Sequence, residues 1–251
     1  MALTLIHCSY HKCLTSYYYK VMSRLFNLCL PLSGGYTHFN SLVNRFYSEQ
    51  KKYKIASVNN HCIDLSRYDD QTLRLTRFIR DPRDLVISGY FYHKRAAEPW
   101  CKIANPKELD WEVVNGNIPQ QLSNGQSYAE YLQSVDIEDG IIGEIDFRKK
   151  HFVGMAQWPE RDNILTIRYE DIIGNEREIF DRLFSFYEFN KLERTIGMYL
   201  VDRYSARRRQ GTVKHIRSPQ PGQWQKHFTP RVKDYFDQEH GGLLKKLGYT
   251  W

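Results

Sequence analysis

The stretch Leu73–His93, LRLTRFIRDPRDLVISGYFYH, decides how the chain is read. Its first part sets Leu73, Leu75, Phe78 and Ile79 in a short alternating apolar run, the pattern of a strand entering a core. The run breaks at Arg80-Asp81-Pro82 and restarts with the character of a helix. Pro82 suits a first helical turn, where its missing N–H costs nothing, and Asp81 is a good cap just before it. Arg80 then stands at the carboxyl edge of a strand, with Ser88 two helical turns further on. Ligands of open parallel sheets bind outside the strand ends. An arginine there, beside the unpaired amides of a helix start, suits an anion and most naturally a phosphate. A plain strand–turn–helix with an exposed arginine would carry the same letters.

Upstream, Ala2–Ile6 is a short apolar run that reads as the first strand, and His7–Ser16 as a polar loop holding Lys12, Thr15 and Ser16. A helix is expected from about Ser16 to Cys29, because Tyr18, Val21, Met22, Leu25, Phe26 and Cys29 keep the spacing of one buried face. This strand–loop–helix order is that of a phosphate-binding loop, with helix amides, hydroxyls and a lysine converging on an anion. GxxxxGK[ST] is absent and the lysine precedes the Thr-Ser pair, so the loop is not that of the nucleoside triphosphatases. Taken alone, it could also be a polar turn with one solvated lysine.

Gly34-Gly35 ends this first strand–loop–helix segment, and Lys51–Asn60 reads as a second strand leaving at His61-Cys62. Residues 94–127 read as loops with short helices able to shape a pocket or gate. Helices are expected at Tyr128–Val135 and Phe147–Trp158, joined by a linker with Gly140, Gly143 and several acidic residues. Asn163–Tyr169 is another strand, followed by an amphipathic helix over Arg177–Tyr187 whose Leu183, Phe184 and Tyr187 share a face. A basic run, Arg207-Arg208-Arg209 to Lys214, His215 and Arg217, leads into Ser218-Pro219-Gln220-Pro221-Gly222-Gln223-Trp224. Such runs are usually solvated faces or nucleic-acid patches. Pro230 opens a last helix burying Val232, Tyr235 and Phe236. Strands alternating with helices indicate an α/β fold with a central, mainly parallel sheet.

At 251 residues and 41% hydrophobic, the chain can bury one substantial core. A net charge of +7 favours anionic partners. Five cysteines (Cys8, Cys13, Cys29, Cys62, Cys101) without Cys-x-x-Cys spacing argue against a disulfide framework and against structural zinc. No signal peptide or apolar run long enough for a membrane span is evident. A cytoplasmic protein is the expectation.

Four islands together resemble the sulfotransferases that use 3′-phosphoadenosine 5′-phosphosulfate (PAPS), over about Thr4–Tyr249. HKCLTSYY is similar to the family's 5′-phosphosulfate loop, and RDPRDLVISGYFYH to its 3′-phosphate motif. TIRYEDI resembles the strand whose tyrosine lies near the adenine, and HIRSPQPGQWQKHFT the family's Arg-Lys-Gly…Gly-Asp-Trp-Lys segment. The resemblance implies one P-loop-like sulfotransferase domain over 1–251, with PAPS as donor and its product PAP. It implies cofactor contacts from Lys12, Cys13, Thr15, Ser16, Tyr17, Arg80, Ser88, Tyr169, Arg217 and Ser218. The sequence departs from the family at Leu14, where the loop usually has glycine, at Ser218-Pro219 for Lys-Gly, and at Gln223 for an acidic residue.

The implied reaction passes a sulfuryl group in line to an acceptor hydroxyl or amine, with no metal. Lys12 would stabilise the leaving phosphate oxygen. His61 follows the second strand as the family's catalytic histidine does and is the candidate general base, with an ordinary pKa near 6.5 suited to the task. An ordinary strand-end histidine is the competing reading, and His7, His11, His93 and Glu98 are substitutes. A P-loop nucleotide kinase would share the strand–loop–helix start but needs the missing GK[ST] loop and magnesium. A nucleic-acid binder would use the Arg207 cluster and give no reason for Arg80 and Ser88. The acceptor, a small molecule or a glycan, is not legible. Tyr90, Tyr92, Trp100 and Trp111 could stack on it or simply pack.

Overall fold

The computed structural model describes residues 3–122, 125–205 and 220–251. In chain order it contains β1 (Thr4–Ser9), α1 (Thr15–Arg24), β2 (Tyr36–His38), α2 (Val43–Glu49), β3 (Ile55–Asn59), β4 (Leu73–Ile79) and α3 (Pro82–His93). Then follow α4 (Tyr128–Ser134), α5 (Ile137–Phe147), α6 (Lys149–Ala156), β5 (Ile164–Arg168) and the single turn α7 (Tyr169–Ile172). The remaining helices are α8 (Glu176–Phe186), α9 (Lys191–Tyr204), α10 (Pro230–His240) and α11 (Leu243–Lys246). One compact unit comprises Met1–Ile79 with Pro159–Pro219, the other Arg80–Trp158 with Gln220–Trp251.

The first unit holds the sheet, in the order β2-β3-β1-β4-β5, with every pairing parallel. The α/β architecture expected from the alternation of strands and helices is therefore the one found. The central strands are buried on both faces, as parallel strands are, and β3 (IASVN) is buried throughout. β1 shows the consequence for sequence reading. It runs to Ser9, three residues past the expected end, because His7, Cys8 and Ser9 are also buried. Polar letters tolerate this only when partnered. His7 Nδ1 lies 2.8 Å from Thr76 Oγ1 and its ring stacks on Tyr18 at 3.6 Å. Tyr187, from the chain just after α8, donates its hydroxyl to the Ile6 carbonyl at 2.8 Å.

Several helices differ from the sequence reading, and neither α2 nor α11 was anticipated. The helix after the first loop is α-helical only to Arg24, and Leu25–Cys29 continues as a π-helical turn with Cys29 exposed. The supposed linker over 136–146 is α5, capped by Asp136 accepting from the Asp139 amide. Its glycines look like breakers in sequence but are contact points. A Cβ at Gly140 would lie 2.4 Å from the Tyr90 ring, and one at Gly143 2.7 Å from Tyr131. α9 was not anticipated, although Asn190 and Glu193 form a capping box at its start. Glu193 is buried there and pairs with Lys54. Tyr235, expected to be buried in the last helix, is only half-buried, with its hydroxyl on Asp146 at 2.6 Å. No helix among the described residues is long and apolar enough to cross a membrane.

Buried histidines make the fold acid-sensitive. Burial, reinforced by His38, holds His7 well below its usual value. Burial also lowers His38 and His240, each to about 4. The unfolded chain takes up these protons near pH 6.5 while the folded chain stays neutral, so stability is lost as pH falls below that value. Each group contributes at most about 1.4 kcal/mol per pH unit, the half-buried His38 and His240 less than His7. The melting temperature is expected to drop steadily from pH 7 to pH 5. A flat profile over that range would exclude the account.

Candidate active site

In the first unit the chain leaves β1 toward β3 and β2 on one side, then returns to place β4 on the other. The strand order therefore reverses at β1, and its carboxyl end is the switch point where such sheets bind ligands. The loop there, Tyr10–Leu14, is held tightly. The Cys13 amide donates to the Tyr10 carbonyl at 2.9 Å, and Lys12 and Leu14 take left-handed φ values of 76° and 59°. Leucine at such a φ costs roughly 1–2 kcal/mol. It thereby supplies the turn that glycine would have supplied at this position.

α1 begins immediately after Leu14, with no side-chain cap. The Tyr17 and Tyr18 amides already reach back to the Leu14 carbonyl at 2.9 and 3.0 Å. The Thr15 and Ser16 amides belong to the first turn, which has no intrahelical acceptor for them. An uncapped helix start next to a lysine favours an anion. Ser16 is exposed, whereas Thr15 and Lys12 are half-buried. Cys13 is fully buried, and Tyr17 turns its hydroxyl onto the Val201 carbonyl at 2.9 Å. Those two side chains hold the loop and the helix against the core.

The loop after β3 is stitched to its neighbours by Asn60, at φ 60°. Its amide donates to the Ser9 carbonyl at 2.8 Å, its Oδ1 accepts from the His11 amide at 2.7 Å, and its Nδ2 donates to Ser41 Oγ at 3.0 Å. His61 follows, half-buried, with Nε2 2.8 Å from the Ser41 carbonyl. A carbonyl only accepts, so Nε2 carries the hydrogen and Nδ1 is the nitrogen able to take a proton. His7, a substitute base, is shut in the core. Tyr169, at the start of α7, is buried.

In the second unit, Arg80 is 4% exposed and Asp81 caps α3 by accepting from the Arg83 amide at 2.9 Å. Arg83 also forms a two-pronged ion pair with Asp81, at 2.9 and 2.7 Å. The strand–cap–proline–helix reading of this stretch is thus realised residue by residue. Arg80 Nη2 lies 3.9 Å from Asp84 Oδ2, longer than a charge-assisted hydrogen bond. Asp84 instead accepts from the Gly222 and Trp224 amides at 2.7 and 2.9 Å, and the Arg83 guanidinium lies 3.7 Å over the Trp224 ring. Burial raises the Asp84 carboxyl, and Arg80 works against that shift. Ser88, one turn beyond Asp84 on the same face, is half-buried and makes no side-chain hydrogen bond to the described residues.

The sulfotransferase-domain family matches residues 10–248. The chain belongs to the sulfotransferase family. Its fold is shared by solved structures of low sequence similarity. A mouse sulfotransferase, SULT7A1, complexed with PAP, is 14% identical with a TM-score of 0.56, over 97% of this chain and 84% of that one. Retinol dehydratase in complex with androsterone and the inactive cofactor PAP is 13% identical, TM-score 0.51, over 98% and 82%. The same enzyme with retinol and PAP is 14% identical, TM-score 0.52, with the same coverage. Among curated proteins, none matches the chain.

Arg217 and Ser218 of this sulfotransferase, with the Arg207 cluster, lie outside the described residues. Of the aromatics that could have stacked on an acceptor, Tyr90, Trp100 and Trp111 are at most 4% exposed and belong to the packing. Tyr92 is half-buried and donates to Glu98 at 3.0 Å. His93 is buried with Nδ1 2.7 Å from Glu144 Oε2. Sequence reading missed Asp84 as the anchor of the Gly222–Trp224 turn. Its position one turn before Ser88 was the available signal, but only the fold brings the partner amides to it.

Proposed function

We propose that the chain transfers a sulfuryl group from PAPS to a hydroxyl or amine of a small acceptor, within one sulfotransferase domain spanning 1–251. The observation that carries this is the uncapped start of α1 after β1, beside Lys12, in a chain matched to the sulfotransferase domain. PAPS supplies an activated sulfuryl group whose leaving group is a phosphate. The Thr15 and Ser16 amides and Lys12 bind the 5′ end, and Lys12 stabilises the charge that develops on the leaving oxygen. Arg80 and Ser88 hold the 3′-phosphate, together with Arg217. Tyr169 lies by the adenine. His61 takes the acceptor's proton through Nδ1. A cytoplasmic setting suits the five free thiols.

The test is calorimetric titration with 3′,5′-adenosine bisphosphate, without magnesium, on the wild type and on Arg80→Ala. Micromolar binding is expected, weakened about tenfold or more in the variant, as losing a charged hydrogen bond of roughly 1.5–3 kcal/mol would do. Sulfate transfer to phenol and sterol acceptors then follows. A wild type that ignores this nucleotide but binds ATP with magnesium would favour the kinase reading.

A further inference from the structure

The strand ends of the first unit carry a hydrogen-bond chain that begins at the phosphate loop. Ser9 Oγ lies 3.0 Å from Thr15 Oγ1 and donates to Asn59 Oδ1 at 2.6 Å. Asn59 Nδ2 lies 3.3 Å from His38 Nε2, and His38 Nδ1 lies 2.8 Å from Ser57 Oγ. The Tyr36 hydroxyl ends the row, 2.7 Å from Ser57 Oγ. Strands β1, β2 and β3 each contribute to it.

The direction of each bond follows from counting hydrogens. Burial lowers His38 to about 4, against a smaller opposing effect of Asn40, so near neutral pH its ring carries one N–H. A separation of 2.6 Å is an O–H···O length, whereas 3.3 Å suits an amide N–H facing a ring nitrogen. Asn59 therefore turns its oxygen to Ser9 and its NH₂ to His38. His38 accepts at Nε2 and donates from Nδ1 to Ser57. A serine hydroxyl has a single hydrogen, and that of Ser9 is given to Asn59. At the Ser9–Thr15 contact the hydrogen must come from Thr15.

We propose that Thr15 meets the bound anion through its backbone N–H alone, its hydroxyl hydrogen being held by Ser9, with Asn59 and His38 as positioning residues that set this direction. The inference rests on the phosphosulfate-loop reading above. It divides two adjacent hydroxyls by role. Ser16, exposed and without a side-chain hydrogen bond to the described residues, is the hydroxyl donor of the loop.

The experiment is titration of 3′,5′-adenosine bisphosphate into the wild type, Ser9→Ala and the double variant Ser9→Ala/Thr15→Val. Removing the Ser9 acceptor frees the Thr15 hydroxyl to turn to the anion, so Ser9→Ala is expected to bind about fivefold to tenfold tighter. Adding Thr15→Val should take that gain away, a coupling that a merely structural Ser9 would not produce. Unchanged or weaker binding by Ser9→Ala, or a gain that survives Thr15→Val, overturns the proposal. Should Ser9→Ala not fold, Ser16→Ala and Thr15→Val on the intact chain decide. A loss at least fivefold larger for Ser16→Ala supports the division of roles, and an equal or larger loss for Thr15→Val overturns it. A wild type that binds no 3′,5′-adenosine bisphosphate removes the PAPS reading itself, and this inference with it.

Discussion

His61→Ala is expected to lower kcat by about 10²- to 10⁴-fold, the usual contribution of a general base, while 3′,5′-adenosine bisphosphate affinity stays within about twofold. The geometry explains why the loss should fall on turnover. His61 follows Asn60, whose three hydrogen bonds fix the chain after β3. Its Nε2–H is tied to the Ser41 carbonyl at 2.8 Å, which leaves Nδ1 as the basic nitrogen. A structural role and a chemical one are separated by His61→Gln, whose side-chain amide can still donate to Ser41 but cannot take a proton at neutral pH. Both variants should be comparably inactive in single-turnover sulfate transfer. Recovery of turnover in the glutamine variant would make His61 a support for the Ser41 loop and send the search for the base elsewhere.

Gly89→Ala is expected to destabilise the protein by about 3–5 kcal/mol, the range for breaking a buried ion pair together with overpacking. A Cβ at Gly89 would stand 1.9 Å from Glu144 Oε1 and 2.4 Å from Arg148 Nη2. Those atoms cannot give way cheaply. Glu144 and Arg148 are fully buried and joined at 2.8 Å, and the other Glu144 oxygen is 2.7 Å from His93 Nδ1 and accepts from the Tyr128 hydroxyl at 2.8 Å. Burial alone would raise the Glu144 carboxyl, but His93 and Arg148 outweigh it and hold it below the usual range. The rings of Trp100 and Phe147 close in around His93 at 4.9 and 5.1 Å. Thermal denaturation should show a melting temperature lower by roughly 6–20 °C, at 2–4 °C per kcal/mol for this size. A cooperative transition within about 2 °C of the wild type would show that the network yields more easily than its burial implies. Ser88 precedes Gly89, so the same packing sets the backbone that presents the proposed 3′-phosphate hydroxyl.

Much of this was legible because the signals were local. The alternation of β4, the Asp81 cap and Pro82 at the first turn of α3 are rules of a few neighbouring residues, and each holds. The buried face of α1 and of the π-helical turn after it was likewise readable from its spacing, apart from Cys29. Local signals failed where a distant partner changed the meaning of a residue. His7 to Ser9 read as loop because they are polar, yet Thr76, Tyr18 and Asn59 satisfy or stack on them inside the sheet. Gly140 and Gly143 read as breakers, yet Tyr90 and Tyr131 pack where their side chains would be.

The amino-acid sequence by itself determined the α/β class, the order of the four family-like islands and the family, because these depend on periodicity, caps and short motifs. Tertiary structure alone decided which nitrogen of His61 carries its hydrogen and which amides Asp84 anchors. It also decided which way the Thr15 hydroxyl points. Each of these depends on a hydrogen-bond partner remote in the chain, His61 on Ser41, Asp84 on Gly222 and Trp224, Thr15 through Ser9 on Asn59. A donor's direction is set by whichever acceptor the fold brings within about 3 Å, and no spacing in the sequence encodes that.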